Sequence, residues 1–370
     1  MLEAFRKAFK IKDIRKKIGY TFLMLIVIRI GSQLPTPGVN GEYIKNFFAQ
    51  NTGEAFNLFN AFTGGSFEQM SVFALSITPY ITSSIIVQLL TIAIPQLEEM
   101  QRDGETGRKK IVAITRYLTV GLALIESGAM AVGFGRQGLL VKYNFVNAAI
   151  VVLTLTAGSA FLMWIGEQIT AKGVGNGISL IIFAGIVSRL PDGLQVIFQY
   201  LQAGTVNLLN VILFAAIALA MIIFVIMISQ GIRKIPVQYA KRVVGRRTYG
   251  GSTSYLPLKV NQAGVIPIIF ASSVLMFPIT IAQFVDILWV KSMGQMLGWG
   301  TPLHTTLYIL MILFFTYFYT AVSLNIGDLA DNMKKNGGFI PGIRPGKPTS
   351  DYLDRVMSRI TLAGAIFLSL

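Results

Sequence analysis

Long apolar runs recur along the chain at 18–34, 69–94, 111–133, 145–169, 177–190, 208–230, 263–284 and 305–326, and a ninth begins at about 358. Each is close to the ~20 residues that carry a helix across the hydrocarbon of a bilayer. Polar positions gather in the segments between the runs. In lipid the backbone must satisfy its own hydrogen bonds, so the pattern predicts membrane-spanning helices. The expected fold class is an all-α polytopic membrane protein with eight full spans and part of a ninth.

Composition agrees with the pattern. Of 370 residues 53% are hydrophobic and 13% charged, against roughly 25% charged in a soluble domain, which excludes an ordinary soluble fold. The chain has no Cys and one His, His304. Thiolate nucleophiles, cysteine-held metals and disulfides are thereby excluded, and a histidine metal site or a Ser/His pair is unsupported. No metal, cofactor or catalytic residue is expected.

The net charge of +15 gains meaning from its placement. With the N-terminus cytoplasmic, the outside segments hold only Lys45, Arg136, Lys142, Arg189 and Lys291, and Arg29 and Arg116 lie within spans. Every other Lys and Arg then falls inside, which is the positive-inside bias. The basic start followed by 18–30 looks like a signal peptide, but Arg29 interrupts the apolar core and no small-x-small cleavage site follows, so the segment reads as a retained first span.

Several segments are odd for a plain helical bundle. Phe56, Asn57, Leu58, Phe59, Asn60, Ala61, Phe62, Thr63, Gly64, Gly65 and Ser66 form a short apolar stretch ending in two glycines, too short to cross. It reads as a re-entrant segment on the outer side, which requires a cavity around it; an amphipathic surface loop is the plainer alternative. The second span mixes Pro79 and Thr78, Thr82, Ser83, Ser84 and Gln88 with Ile77, Ile81 and Ile85 at helical spacing, which suits a helix lining a boundary between water, protein and lipid. Lys172-Gly173-Val174-Gly175-Asn176-Gly177 and Lys259-Val260-Asn261-Gln262-Ala263-Gly264 each lead into an isoleucine-rich run, like the broken helices around a central pathway. The first is no dinucleotide loop, since Ile178 stands where the fingerprint needs glycine. The segment 231–262 has no Asp or Glu, and the Gly-Pro-rich segment 334–348 also carries a basic tip. Both read as cytoplasmic loops that form a docking surface for a protein or for RNA phosphates.

These residues resemble the SecY family, the channel subunits of bacterial protein translocases, over essentially the whole chain. The similarity is carried by Pro35-Thr36-Pro37-Gly38, Gly104-Glu105-Thr106-Gly107-Arg108-Lys109-Lys110, Trp164-Ile165-Gly166-Glu167-Gln168, Gly175-Asn176-Gly177-Ile178-Ser179, Leu256-Pro257-Leu258-Lys259-Val260-Asn261 and Pro341-Gly342-Ile343-Arg344-Pro345-Gly346. The resemblance implies a two-halved, ten-span helical channel with a pseudo-two-fold repeat, opening sideways between its second and seventh spans. The halves would be 1–190, containing the plug at about 56–66, and 208–370, with cytoplasmic loops 231–262 and 327–357. The sequence stops about eleven residues into the ninth span, so a truncated chain lacking the family's tenth span is expected.

The resemblance further implies a pore ring at Ile77, Ile81, Ile182 and Ile269, a lateral gate with Gln88, Glu126 and Asn261, and docking by Arg246, Arg247 and Arg344. The respective alternatives are ordinary core isoleucines, unrelated snorkelling or cavity residues, and, for the arginines, topology-setting charges at Arg246 and Arg247 and a loop-fixing pair with a nearby carboxylate at Arg344. Expected partners are SecE and SecG in the membrane, the SecA ATPase and the ribosome on the cytoplasmic face, an unfolded secretory polypeptide as substrate, and the bilayer itself. The expected function is translocation of secretory polypeptides across the bacterial plasma membrane and lateral insertion of membrane proteins. A secondary transporter with inverted repeats is the rival. An intramembrane aspartyl protease fails because Asn325-Ile326-Gly327-Asp328 lacks the first glycine of its G-x-G-D motif.

Overall fold

The computed structural model describes residues 10–41, 43–44, 60, 63–136, 138, 140–239, 242–244, 247–249, 253–284, 288–298 and 300–369. The chain divides into two compact units, one of Met1–Tyr200 with Ser273–Thr301, the other of Leu201–Ser272 with Pro302–Leu370.

The first unit opens with α1 (Lys12–Gly31). The second span begins only at α2 (Thr78–Ala93), a correction to the expected start at 69. Residues 64–70 and 72–77 are turns instead, with Ser71 bridged antiparallel to Pro35 and with Met70 and Ser76 at φ +43° and +53°. Bulky and hydroxyl side chains rarely adopt that region, so nothing local in the sequence announces the break. Pro95 ends α2, since the residue before proline is pushed out of the helical region; Ile94 is extended, and α3 (Pro95–Arg102) turns away by 106°.

Next come α4 (Gly104–Arg136), α5 (Phe145–Lys172), α6 (Gly177–Ser188) and α7 (Leu190–Gln202). Helix α2 packs on α4 and α5, while α1 rests on α5 and α6. The core joins Ile44, Phe67, Met70, Ala74 and Leu75 to Ala123, Met130 and Phe134 of α4 and Val151 and Leu155 of α5. Glycines let these elements approach closely. A Cβ at Gly158 of α5 would strike the Val72 carbonyl, and one at Gly177 would strike the Gly166 carbonyl. α9 (Ile266–Phe284) and α10 (Leu288–Met296) contribute to this unit from Ser273 onward.

The second unit contains α8 (Leu208–Gln230), α11 (Pro302–Ser323), α12 (Ile326–Lys335) and α13 (Lys347–Ser369). The segment 231–262 is not a plain loop, and the chain is not purely helical. β1 (Ile232–Tyr239) pairs antiparallel with β4 (Thr253–Lys259), and β5 (Gly338–Phe339) adds to the other side of β1 at Gln238 and Tyr239. Between them β2 (Arg242–Val244) and β3 (Arg247–Tyr249) form a second hairpin. Alternation explains the ladder, because Ile235 and Val237 point from one face of β1 into a core with Leu258, Met333, Ile340, Leu353, Met357 and Ile360. That core ties the hairpin to α12 and α13.

Among the described residues five helices are long and apolar enough to cross a membrane, or six if the bent pair α2–α3 counts as one span. No residue of α8 is buried, although its 23 positions are nearly all aliphatic or aromatic. Such a surface is stable only against an apolar surrounding. The protein is therefore a multi-pass membrane protein.

Candidate functional site

The isoleucine stripe of the second span is fully enclosed. Ile77, Ile81 and Ile85 are 1%, 8% and 3% exposed. Ile77 caps α2, and its carbonyl accepts from the N–H groups of Tyr80 and Ile81 at 3.1 Å each. Its side chain converges with those of Ile178 and Ile181 on Gly166 of α5. Ile182, one position further round α6, is half-buried, and so is Ile269 in α9 of the second unit. Within the first unit, then, Ile77 meets the start of α6.

That start is shaped by its polar residues. Asn176 accepts at its side-chain oxygen from the N–H groups of Ile178 and Ser179 at 3.0 and 3.4 Å, an N-cap that stops the chain from running straight on from α5. The Gly177 N–H donates to Thr170 Oγ1 at 2.9 Å, and the Val174 N–H to Thr21 Oγ1 of α1 at 3.1 Å. These bonds fix the break between α5 and α6 against α1.

Of the expected plug, Phe56, Asn57, Leu58, Phe59, Ala61 and Phe62 lie outside the described residues. Asn60 and Thr63 are helical, and Gly64, Gly65 and Ser66 form a turn against the far end of α6, with Gly64 and Gly65 at φ +64° and +89°. A Cβ on Gly64 would sit 3.0 Å from Gly185 Cα and 3.1 Å from Arg29 Nη1. Arg29 Nη1 donates to the Gly64 carbonyl at 3.3 Å, which answers part of the cost of an arginine inside an apolar span. Arg189, at the end of α6, binds Glu68 at 2.7 Å and Asp192 at 3.3 Å. A cavity of about 20 Å³ lies among Arg29, Ser32, Thr63, Ser66, Ser76 and Ile181.

The remaining expected positions lie on several elements of the two units. Gln88 is half-buried on α2, its amide 3.5 Å from Ser84 Oγ on its own helix. Glu126 is half-buried in α4, and Asn261 is buried in the second unit with no hydrogen-bond partner for its side-chain oxygen among the described residues. Arg246 lies outside the described residues and Arg247 is placed only as backbone of β3. Arg344 is exposed, its carbonyl accepting from Thr349 Oγ1 at 2.8 Å. Two interhelical contacts were not read from the sequence as pairs: Arg116 of α4 grips Glu167 of α5 with two hydrogen bonds of 2.9 and 2.7 Å, and Ser127 Oγ meets Thr156 Oγ1 at 3.1 Å.

The family model SecY matches residues 71–370. The chain belongs to the SecY family. Protein translocase subunit SecY of Pseudomonas aeruginosa is 46% identical over 363 residues, 97% of this chain and 82% of that protein. The Escherichia coli K12 protein of the same description is 44% identical over 365 residues, 96% and 82% of the two chains. Among solved structures, a protein-conducting channel matches with a TM-score of 0.66 at 19% identity, over 96% of this chain and 84% of that one. A second, described by the SecY plug domain stabilising the closed state of the translocation channel and maintaining a membrane seal, matches with a TM-score of 0.66 at 20% identity and the same coverage. Canine Sec61 in a ribosome-channel complex follows at 0.62 and 17%, covering 96% of this chain and 85% of its own. At these identities the likeness of structures establishes the shared fold, and the likeness of sequences establishes the family.

Proposed function

We propose that the chain is the central subunit of a protein-conducting channel that passes unfolded secretory polypeptides across the bacterial plasma membrane and releases membrane segments sideways into lipid. The observation that carries this reading is the 44–46% identity to curated translocase subunits over nearly the whole chain. The geometry supports it. Aliphatic side chains at Ile77, Ile81, Ile182 and Ile269 suit a constriction that excludes ions by dewetting yet yields to a polypeptide. The turn at 64–66, with Gly64 and Gly65 in left-handed conformation, suits a plug that moves without chemistry. Gln88, Glu126 and Asn261 would bias the lateral gate, and 1–190 and 208–370 would be the halves that part.

With an N-terminus in the cytoplasm, the hairpin 231–262 and the 334–348 segment present Arg246, Arg247 and Arg344 to the SecA ATPase or the ribosome, which supply the driving force. Arginine suits both because its planar fork pairs with carboxylate and phosphate alike. SecE and SecG would cover exposed helices within the membrane. Of the transporter reading's four ion-coupling candidates, Arg116 and Glu167 pair with one another and Arg29 donates to the Gly64 carbonyl, which leaves Glu126.

The test is a stalled secretory polypeptide bearing one cysteine in a chain that has no cysteine of its own. Crosslinks should form to cysteines placed at Ile81 or Ile182 and not at Leu213, which is exposed on α8. Crosslinking at Leu213 alone, or at none of the three, would overturn the channel reading.

A further inference from the structure

Helices α4 and α5 close on one another deep in the pair and part toward the end where the chain turns between them. Ser127 Oγ of α4 meets Thr156 Oγ1 of α5 at 3.1 Å. Beyond that contact Gly128 and Val132 face Ala148, Ala149 and Val152, whose side chains are too short to fill the space. A cleft of about 520 Å³ remains there, and a Cβ added to Gly128 would meet nothing within 4 Å. Tyr143 and Phe145 form its rim, and both are exposed. Exposed aromatic rings at the end of a spanning helix mark the membrane–water interface. The rim therefore lies at headgroup level, and the cleft runs from it into the hydrocarbon.

The rim is held by the backbone on both sides. The Val141 N–H donates to the Gly38 carbonyl at 3.1 Å, Val39 and Leu140 form an antiparallel bridge, and Asn147 Nδ2 donates to the Lys142 carbonyl at 3.0 Å. A Cβ on Gly135 would strike the Tyr143 ring, so that ring lies directly against the last turn of α4. Two basic residues stand at this level. Lys142 precedes Tyr143, and Arg136 lies one turn beyond Val132 on the same face of α4; both are exposed. No Asp or Glu occurs from 127 to 166, whereas Arg189 is held by Glu68 and Asp192. On the orientation proposed above this is the outer side, where basic residues are scarce.

The dimensions of the cleft select its occupant. Phe145 to Val152 spans about 10 Å along α5 at 1.5 Å per residue, so a volume of about 520 Å³ gives a mean cross-section of about 50 Å². A helix with its side chains, 10–12 Å across, needs roughly 80–110 Å². Flexible acyl chains enter such a slot, and a helix does not.

We propose that this cleft binds an acidic phospholipid, with its acyl chains between α4 and α5 and its headgroup phosphate at Arg136 and Lys142. Both side chains donate charge-assisted hydrogen bonds to phosphate oxygens, and the chains supply the packing that Gly128, Ala148 and Ala149 leave out. The site stands whether or not the protein conducts polypeptide.

The test places the full-length protein in phosphatidylcholine vesicles that carry a trace of photoactivatable phosphatidylglycerol or of photoactivatable phosphatidylcholine, and maps the adducts by mass spectrometry. Adducts within 128–132 and 145–152 should favour phosphatidylglycerol by about 30-fold, the effect of two basic residues at roughly 5-fold each. Helix α8, none of whose residues is buried, reports boundary lipid and should label alike with both. Arg136→Gln with Lys142→Gln should bring phosphatidylglycerol labelling of the cleft down to the phosphatidylcholine level. Gly128→Leu, which has room for its side chain and favours the helix, should abolish cleft labelling by both lipids and leave α8 unchanged. Cleft labelling no stronger than that of α8, and indifferent to headgroup and to both variants, would reduce the occupant to boundary lipid and overturn the site. So would labelling that vanishes when the membrane partners are present while a cysteine at Ala149 crosslinks to a partner helix, since that helix would then fill the cleft.

Discussion

Replacing Gly65 by alanine tests the plug at its most constrained point. The residue sits at φ +89°, and holding a side chain in the left-handed region costs roughly 1–2 kcal/mol. The new Cβ would lie 2.7 Å from Arg189 Nη2 and 2.9 Å from its Cζ, so the guanidinium must withdraw from Glu68. That ion pair is partly exposed, 30% and 40%, and is worth at most about 1 kcal/mol after solvent screening. The closed turn should therefore lose about 1–3 kcal/mol relative to any conformation that relaxes φ. At 1.4 kcal/mol per factor of ten, the resting open probability should rise roughly 5- to 150-fold in single-channel recordings of the full-length protein. Gly121→Ala is the control. Gly121 lies inside α4 with nothing within 4 Å of an added Cβ, so the substitution should leave conductance alone and stabilise the helix by about 0.5–1 kcal/mol. If Gly65→Ala inserted normally and closed as tightly as Gly121→Ala, the assignment of this turn to channel closure would be wrong.

Three further predictions address the rest of the molecule. Glu167→Gln leaves Arg116 without its carboxylate; it should weaken α4–α5 association by about 0.5–2 kcal/mol and lower the thermal midpoint in detergent, and the exchange Arg116→Glu with Glu167→Arg should recover much of the loss. An unshifted midpoint would make the pair incidental. Ile81→Ser combined with Ile182→Ser should increase ion leakage through the resting channel, because a hydroxyl-lined constriction no longer dewets; conductance equal to wild type would return these residues to ordinary packing. Arg344→Glu should leave insertion intact while weakening binding of the motor or ribosome, with a shallower salt dependence, and unaltered affinity and slope would remove Arg344 from the docking surface.

How much of this could be read beforehand depended on whether the signal was local. The helix Leu208–Gln230 has the bounds that its apolar run predicts, because an uninterrupted run and its polar ends are visible in one window. The second span does not: its start was placed nine residues early, since 69–77 is apolar enough for a span but is bent by φ reversals at Met70 and Ser76 that carry no compositional mark. The hairpin in 231–262 did leave a mark, with Ile235 and Val237 alternating with exposed positions. Its length and acid-free basic charge point to a loop instead. At the site, isoleucine spacing and the paired glycines were legible. The contacts Arg189–Glu68 and Arg116–Glu167 were not, for they join residues 121 and 51 positions apart, and no periodicity relates them. An arginine and a glutamate within apolar runs show that partners are needed without naming them.

The central claim, that this chain conducts polypeptide, is tested most directly by reconstituting the full-length protein with its membrane partners in sealed vesicles and presenting a radiolabelled secretory precursor, the motor ATPase and ATP. The precursor should become protected from added protease, only while ATP is supplied, and the protection should disappear when detergent opens the vesicles. Precursor that stays fully digestible, in vesicles that carry the correctly inserted chain and bind the motor, would contradict the account.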